Sequence, residues 1–312
     1  MAGPGNCKWI FALVALVAAC AAAQDRAPVA EFLHLTDTHV TDLSGVAVPI
    51  ATARAHFGAT GEALAKFLAG GQRPAGAEFI LITGDLIDGY TFVAGNGRKV
   101  GGQIDAFLCA TRASPVPLFV LLGNHDLAHY GLSAAQKPAA DQSVAGEARA
   151  AWMAAVPGLR GGTYYAFERQ VGATKYVFVM LDNGYSAGGS DDKGGFRMAH
   201  EQLFWLRRQA EAHREAVLII GLHVPLGSDA QSQTIKAAVT GTGRVALFLA
   251  GHVHQDGMDE IALGAARAVQ VRTHAFGYGV NHWRRVRLHP DRIEVYATGS
   301  HDKVEKNILL QL

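Results

Sequence analysis

Six short apolar segments recur along the chain, and each runs directly into a polar turn of Gly, Asp, Asn or His. They span residues 31–36, 79–83, 117–122, 176–181, 216–220 and 245–250. Short runs rich in Val, Ile, Leu and Phe are typical of strands buried on both faces. Helical patterns lie between them, at 51–69, 102–112, 143–156 and 200–215. This alternation predicts a layered α/β domain in which polar strand ends from distant parts of the chain meet at one crevice.

The composition excludes several other classes of protein. Charged residues make up only 18% of the 312 residues, which excludes a disordered chain. The formal net charge is +1, so we expect neither duplex nucleic acid nor an anionic membrane surface as the main partner. Three cysteines are too few for a disulfide framework, whereas 14 histidines are many. No repeat or low-complexity linker divides the chain, so we expect one domain over residues 24–312.

The first 23 residues are typical of a secretory signal peptide. A polar, weakly basic start at 1–8 precedes twelve apolar residues at 9–20 and three alanines. Twelve helical residues rise about 18 Å, which is too short for a hydrocarbon core of ~30 Å. We therefore expect cleavage after Ala23, export to the periplasm or the medium, and no transmembrane span in the mature chain. Two alternatives stay open, because 17–20 resembles a bacterial lipobox with a lipid anchor on Cys20, and an uncleaved anchor is also possible.

Seven side chains that follow the predicted strands could bind metal ions. They are Asp37, His39, Asp85, Asn124, His223, His252 and His254. A mixture of imidazole, carboxylate and carboxamide suits Zn, Fe, Mn or Ni, whereas Mg or Ca would prefer oxygen ligands alone. Seven ligands are too many for one catalytic ion with open positions, but they suit two ions bridged by a carboxylate. His252 and His254 would share a face of an extended strand, or a tight turn would aim them at different ions.

Five motifs appear in a fixed order around these residues. They are Asp37-x-His39, Gly84-Asp85-x-x-Asp88, Gly123-Asn124-His125-Asp126, Gly221-x-His223 and Gly251-His252-x-His254. In this order they resemble the motifs of the calcineurin-like metallophosphoesterases. The resemblance implies a four-layer α/β/β/α sandwich of two mixed sheets, with a dinuclear metal site above the carboxyl edge of the sheets.

The resemblance also implies a role for each motif residue. Asp37, His39 and His254 would bind the first metal. Asn124, His223 and His252 would bind the second metal. Asp85 would bridge the two ions. His125 would act as proton donor or phosphate contact, and Asp126 would orient its ring.

The implied reaction is hydrolysis of a small phosphomono- or phosphodiester by a metal-bridging hydroxide, with His125 protonating the leaving group. The length resembles the cyclic-nucleotide phosphodiesterase-like branch most. A nucleotide pyrophosphatase and a sphingomyelinase-like phosphodiesterase are alternative substrate assignments. A catalytically silent binding protein with this fold is the alternative from another class, and a purely structural metal site is a further one. The oligomeric state is left open.

The remaining residues of interest carry weaker expectations. Asp88 is expected to be a loop or helix-capping carboxylate, and His34 a satisfied core histidine or a neighbour of the site. Cys109 is expected to be buried, and the helical stripe Leu203, Phe204 and Leu206 to face the core. The loops 91–102, 128–146 and 182–195 are expected to act as lids or rims. The candidates for the pocket wall are His129, Tyr130, Tyr185 and Arg197, whereas His274, His282 and His301 are given no role.

Overall fold

The computed structural model describes residues 29–70, 73–184 and 198–310. The predicted signal peptide at 1–23, with Cys20, lies outside the described residues, as do Tyr185 and Arg197. Within the described ranges, no helix is both long enough and apolar enough to cross a bilayer.

Two six-stranded sheets form the centre of the fold. The strands are β1 (Ala30–Leu35), β2 (Phe79–Thr83), β3 (Thr91–Val93), β4 (Lys99–Val100), β5 (Leu118–Leu121), β6 (His129–Leu132), β7 (Pro138–Asp141), β8 (Tyr165–Val171), β9 (Thr174–Met180), β10 (Val217–Gly221), β11 (Arg244–Ala250), β12 (Gly257–Leu263), β13 (Ala266–Arg272), β14 (Arg284–Leu288), β15 (Arg292–Tyr296) and β16 (Val304–Leu309). One sheet has the order β16-β15-β14-β1-β2-β5, and the other has the order β12-β13-β11-β10-β9-β8. Both are mixed sheets, because parallel β1, β2 and β5 adjoin antiparallel β14, and parallel β9, β10, β11 and β13 adjoin antiparallel β8 and β12.

Helices cover the outer face of each sheet. They are α1 (Val48–Arg54), α2 (Thr60–Leu68), α3 (Gln103–Thr111), α4 (Ala145–Ala155), α5 (His200–Ala212) and α6 (Ala230–Val239). Buried side chains of α2, α3 and α4 pack with those of β1 and β2. Buried side chains of α5 and α6 pack with those of β9, β10 and β11. A third apolar core lies between the two sheets, so the predicted four-layer α/β/β/α sandwich is confirmed.

Strand β1 shows how the sequence builds three cores from two sheets. Successive side chains of a strand point to opposite faces, so Leu33 and Leu35 pack under the helices while Phe32 lies between the sheets. The Phe32 ring stacks on Phe79 at 5.0 Å and meets Phe178 of the other sheet edge-on at 5.3 Å. A strand buried on both faces has no polar alternation, which explains the continuous apolar runs.

The predicted strands and helices are present, with ends shifted by a few residues, except that the helical pattern 51–69 is divided into α1 and α2. Residues 284–296 form a β-hairpin. The segments 91–102 and 128–146 were expected to be loops, but parts of them form a small sheet of order β4-β3-β6-β7. These strands have two to four residues each, too few to show a hydrophobic period. Strands β8, β12, β13 and β16 and helix α6 were also not predicted.

Two expectations about burial are wrong. Cys109 is exposed on α3, whose buried face carries Phe107 and Ala110 instead. Phe204 is 63% exposed, and the guanidinium of Arg208 lies 5.0 Å from its ring centre. The other two residues of the predicted stripe do face the core, Leu206 fully buried and Leu203 partly buried, because α5 turns Gln202, Leu206 and Ala210 towards the sheet.

Replacing Phe79 with alanine should strongly destabilise the fold, because Phe79 is fully buried and its ring meets four other aromatic rings. We expect Phe79→Ala to lower the free energy of unfolding by about 3–5 kcal/mol. Phe204→Ala is the matched control, and it should cost less than about 0.5 kcal/mol. Urea unfolding of the two variants measures both values. Similar losses in the two variants would contradict this account of the core.

Candidate metal centre

The polar motifs all follow strands that end at the same edge of the two sheets. Backbone hydrogen bonds link the turns to one another, for example Asp37 N to Gly84 O at 2.9 Å and Gly251 N to His223 O at 3.0 Å. A bond from His252 N to an Asp37 carboxylate oxygen, at 3.0 Å, joins the two sheets. The crevice predicted from the sequence therefore exists, and segments more than 200 residues apart meet there.

Left-handed backbone turns aim the candidate ligands into this crevice. Within the described residues, six non-glycine residues have a positive φ, and five of them are candidate ligands: Asp37, His39, Asp85, His252 and His254. Such angles are uncommon outside glycine, and strained backbone tends to cluster at functional sites. Of the two geometries open for His252 and His254, the structure has the tight turn, with φ of 68° and 51°.

The first group of ligand atoms comes from Asp37, His39, His254 and Asp85. His254 Nε2 lies 3.1 Å from Asp37 Oδ1 and 3.2 Å from His39 Nε2. His39 Nε2 lies 4.0 Å from Asp85 Oδ2. One ligand atom from each residue falls within 4.8 Å of all the others, which is the spacing of atoms around a single cation.

The second group comes from Asp85, Asn124, His223 and His252. His223 Nε2 lies 3.2 Å from Asp85 Oδ2 and 3.1 Å from Asn124 Oδ1, which is 2.9 Å from His252 Nδ1. Asp85 is the only residue shared by the two groups of candidate ligands described here. The structure thus brings all seven candidate ligands together, in the two sets that the resemblance implied, with Asp85 between them.

The buried carboxylates and imidazoles of the two groups shift one another's pKa values. Burial would raise the pKa of Asp85, but the imidazoles of His223, His125 and His39 outweigh burial and lower it well below its usual range. Burial would lower the pKa of His223, but the Asp85 carboxylate raises it to about 10. A proton and a metal ion would therefore compete for His223 Nε2. An ionised carboxylate among converging imidazole nitrogens is a donor set suited to Mn, Fe, Zn or Ni.

A surrounding layer of hydrogen bonds holds the ligand rings in place. The Nδ1 of His223 donates to Thr83 O at 2.8 Å, and Asn183 Oδ1 accepts the backbone N–H of His223 at 2.8 Å. The Nδ1 of His39 lies 3.3 Å from an Asp88 carboxylate oxygen. Partners of this kind fix the tautomer and orientation of metal-binding histidines, leaving Nε2 to face the crevice.

His125 lies at the rim of the crevice, with 15% of its side chain exposed. Its Nε2 is 4.0 Å from Asp85 Oδ2, and its Nδ1 donates to the carbonyl of Asp88 at 2.9 Å. The hydroxyl of Tyr130 lies 3.1 Å from His125 Nδ1. Tyr130, a candidate for the pocket wall, thus adjoins the site, whereas His129 bonds Thr91 within the small sheet at 2.9 Å.

The carboxylate beside the His125 ring belongs to Asp88, whereas Asp126 was expected there. The carboxylate of Asp126 does not face the His125 ring, because it accepts the backbone N–H groups of Gly123 at 2.7 Å and Ile87 at 3.0 Å. Asp88 is fully buried, caps no helix, and has one carboxylate oxygen 3.5 Å from His125 Nδ1. Burial and the nearby charge of Asp85 raise the pKa of Asp126 to about 7. The Gly-Asp-x-x-Asp motif includes Asp88, but its spacing alone does not predict that Asp88 lies beside His125.

His34 is a satisfied core histidine, as one of its two expected assignments stated. Its ring nitrogens lie 2.8 Å from the hydroxyls of Thr83 and Thr273, one from each sheet. Burial, helped by the charge of Arg284, lowers the pKa of His34 to about 3, so it is neutral.

Comparison with known families agrees with this geometry. A family model described as calcineurin-like phosphoesterase matches residues 30–256, which include every motif. The chain belongs to the calcineurin-like phosphoesterase family. Members of this family normally use a dinuclear metal centre, and the grouped Asp and His residues could bind one here.

Two solved structures show the same fold as this family member. A dimetal phosphatase from Danio rerio has a TM-score of 0.62 and 16% identity, covering 91% of this chain and 100% of that chain. GAP50, the anchor in the inner membrane complex of Plasmodium, has a TM-score of 0.51 and 11% identity, covering 91% of this chain and 89% of that one. The comparison with curated protein sequences found no match. Identities this low establish similarity of fold alone.

Substituting the shared carboxylate should affect both groups of ligands. We expect Asp85→Asn to reduce bound metal from about two ions per chain to one or fewer, because the amide lacks the charge that a bridging ligand supplies. Elemental analysis of the metal-reconstituted protein measures this. Glu260→Gln, at an exposed position on β12, is the control and should keep both ions. Two ions retained in Asp85→Asn would show that Asp85 is not shared.

Proposed function

We propose that this protein is a metal-dependent hydrolase of phosphomono- or phosphodiesters. The observation that carries the proposal is the position of Asp85 between two ligand groups, with the His125 ring 4.0 Å away. Two transition-metal ions bound there would activate a water as nucleophile near neutral pH and neutralise the phosphate oxygens. Mn, Fe, Zn and Ni all suit the ligands, of which Asp37, His39 and His254 serve one ion and Asn124, His223 and His252 the other.

His125 is the group best placed to give a proton to the leaving oxygen. Its Nδ1–H is committed to the carbonyl of Asp88, so the proton available to a substrate is the one on Nε2 of the imidazolium. Burial lowers the pKa of His125, while the charges of Asp85 and Asp88 oppose that shift. Asp88 acts through the ring as a positioning residue, since it faces Nδ1 and not the crevice.

A catalytically silent binding protein is the alternative of a different class. All seven candidate ligands are present, and the structure brings them into two groups around Asp85, which favours the enzyme. For the substrate, a cyclic-nucleotide phosphodiesterase-like, a nucleotide pyrophosphatase-like and a sphingomyelinase-like activity are all compatible with this centre. A panel of phosphomonoesters and phosphodiesters, tested with metal-reconstituted protein, separates these activities from one another and from the silent protein.

The role of His125 can be tested through the leaving group. We expect His125→Ala to lower kcat roughly 10²–10⁴-fold for an alkyl phosphate, because an alkoxide is a poor leaving group without a proton. The loss should shrink for a nitrophenyl ester, whose leaving group hardly needs one. Asp88→Asn should show a weaker form of the same pattern. Metal content should stay nearly unchanged in His125→Ala.

The control for this test is Asp126→Asn, which alters a neighbouring carboxylate that does not face the ring. It should destabilise the loop but leave the dependence on the leaving group as in the wild type. A loss of metal in His125→Ala with unchanged leaving-group dependence would instead make His125 a ligand.

The proposal includes export, which rests on residues 1–23. Mature protein recovered from its source should begin near Gln24, or at a lipid-modified Cys20, because the apolar segment ends in the small residues that precede a cleavage site. N-terminal mass spectrometry distinguishes the two forms. Intact Met1–Ala23 on soluble cytoplasmic protein would contradict both.

A further inference from the structure

Arg54, the last residue of α1, lies beside the proposed proton donor. Its Nη1 is 3.5 Å from the same Asp88 oxygen that lies 3.5 Å from His125 Nδ1. Its guanidinium carbon lies 4.7 Å from the ring centre of Tyr130, whose hydroxyl contacts His125. The Arg54 side chain is 20% exposed. A partly exposed cation is therefore fixed between Asp88 and an aromatic ring, and both of these partners contact His125.

Other arginines of this chain show what a purely structural arginine looks like. Arg149 forms a two-pronged pair with Asp182, with N–O distances of 2.7 and 3.1 Å. Arg284 is 2% exposed and donates to Tyr296 O at 2.9 Å. Arg54 donates no hydrogen bond to any residue in the described ranges, and 3.5 Å exceeds the ~2.7–2.9 Å of a charge-assisted bond. The N–H groups of Arg54 are thus held in position by Asp88 and Tyr130 without donating a hydrogen bond to another described residue.

A third metal ion would be a different explanation of the same cluster. His39, Asp88 and His125 offer three ligand atoms within 4.8 Å of one another. The guanidinium of Arg54 already supplies a positive charge at Asp88, so a further cation there would be repelled. The cluster is better explained as a support for Arg54 and the two histidines.

We propose that Arg54 binds a non-bridging oxygen of the substrate phosphoryl group and makes the site selective for phosphomonoesters over phosphodiesters. This rests on the proposed function, whose substrate class it narrows. A guanidinium presents a fixed fork of N–H donors that matches phosphate geometry, and Asp88 and Tyr130 hold the guanidinium of Arg54 beside His125. A phosphomonoester carries about −1.5 to −2 charge at neutral pH, whereas a diester carries about one. A fixed cation therefore favours the monoester.

The test uses Arg54→Gln and Arg54→Lys in the metal-loaded full chain. Calorimetric titration with inorganic phosphate measures anion binding without turnover. Kinetics with nitrophenyl phosphate and methyl nitrophenyl phosphate compare a monoester and a diester that share one leaving group. Arg267→Gln is the control, because Arg267 is 71% exposed and pairs with Glu260 on the β12–β13 hairpin.

Arg54→Gln should weaken phosphate binding roughly 10- to 100-fold, which corresponds to the loss of a charged hydrogen bond. KM for the monoester should rise by a similar factor, and KM for the diester should rise much less. The value of kcat should change little for either ester. Arg54→Lys should fall between the wild type and Arg54→Gln, since it keeps the charge and loses the fork. Arg267→Gln should match the wild type in both assays.

Three results would overturn the inference. One is unchanged phosphate affinity in Arg54→Gln. Another is a loss confined to kcat and equal for both esters, which would make Arg54 only a counter-ion of Asp88. The third is a lower metal content in Arg54→Gln, which would place its role in supporting the centre. If the wild type hydrolyses no ester, the proposed function fails, and the phosphate titration still decides the role of Arg54.

Discussion

The structure depends on ionised carboxylates buried among histidine nitrogens at the edge of two sheets. Asp85 is 1% exposed, and Asp37 is fully buried, so their charges need partners that water does not supply. Backbone has to approach them very closely to provide that enclosure. A Cβ added to Gly123 would overlap Asp85 Oδ1, and one added to Gly251 would overlap Asp37 Oδ2. Gly123 and Gly251 are thus required by close contact with the carboxylates.

The spacing of the ligand groups is set by how the two sheets pack. Asp85 follows a strand of one sheet and His223 follows a strand of the other, so the 3.2 Å between them reports the alignment of the sheets. Stacked phenylalanines fill the space between the sheets, and neutral His34 joins them through Thr83 and Thr273 near the site. Because close-packed interiors are hardly compressible, this core fixes the distance between ligands that come from different sheets. No single turn could fix that distance.

The sequence predicted that these candidate ligands would lie together, because the signals for them are local. A buried strand followed by glycine and a polar ligand can be recognised within a short stretch of sequence. The order of five such motifs then indicated which family the chain resembles. What could not be predicted depends on contacts between remote segments. Asp126 adjoins His125 in the chain, but the turn at His125–Leu127 directs its carboxylate to backbone amides, and Asp88 takes the place beside the ring. The predicted burial of Phe204 and Cys109 was wrong for a related reason, because a short helix has several plausible apolar faces.

The residues beside His125 lie outside the two large sheets. Tyr130 lies on β6 of the small sheet, and Arg54 lies at the end of α1, whereas every candidate metal ligand follows a strand of the two large sheets. The candidate metal ligands and the side chains that surround His125 are thereby carried by different parts of the chain. Substitutions in α1 or the small sheet can change what reaches His125 without moving Asp85 or its partners. A fold built this way supports many phosphoesterase specificities on one reaction centre.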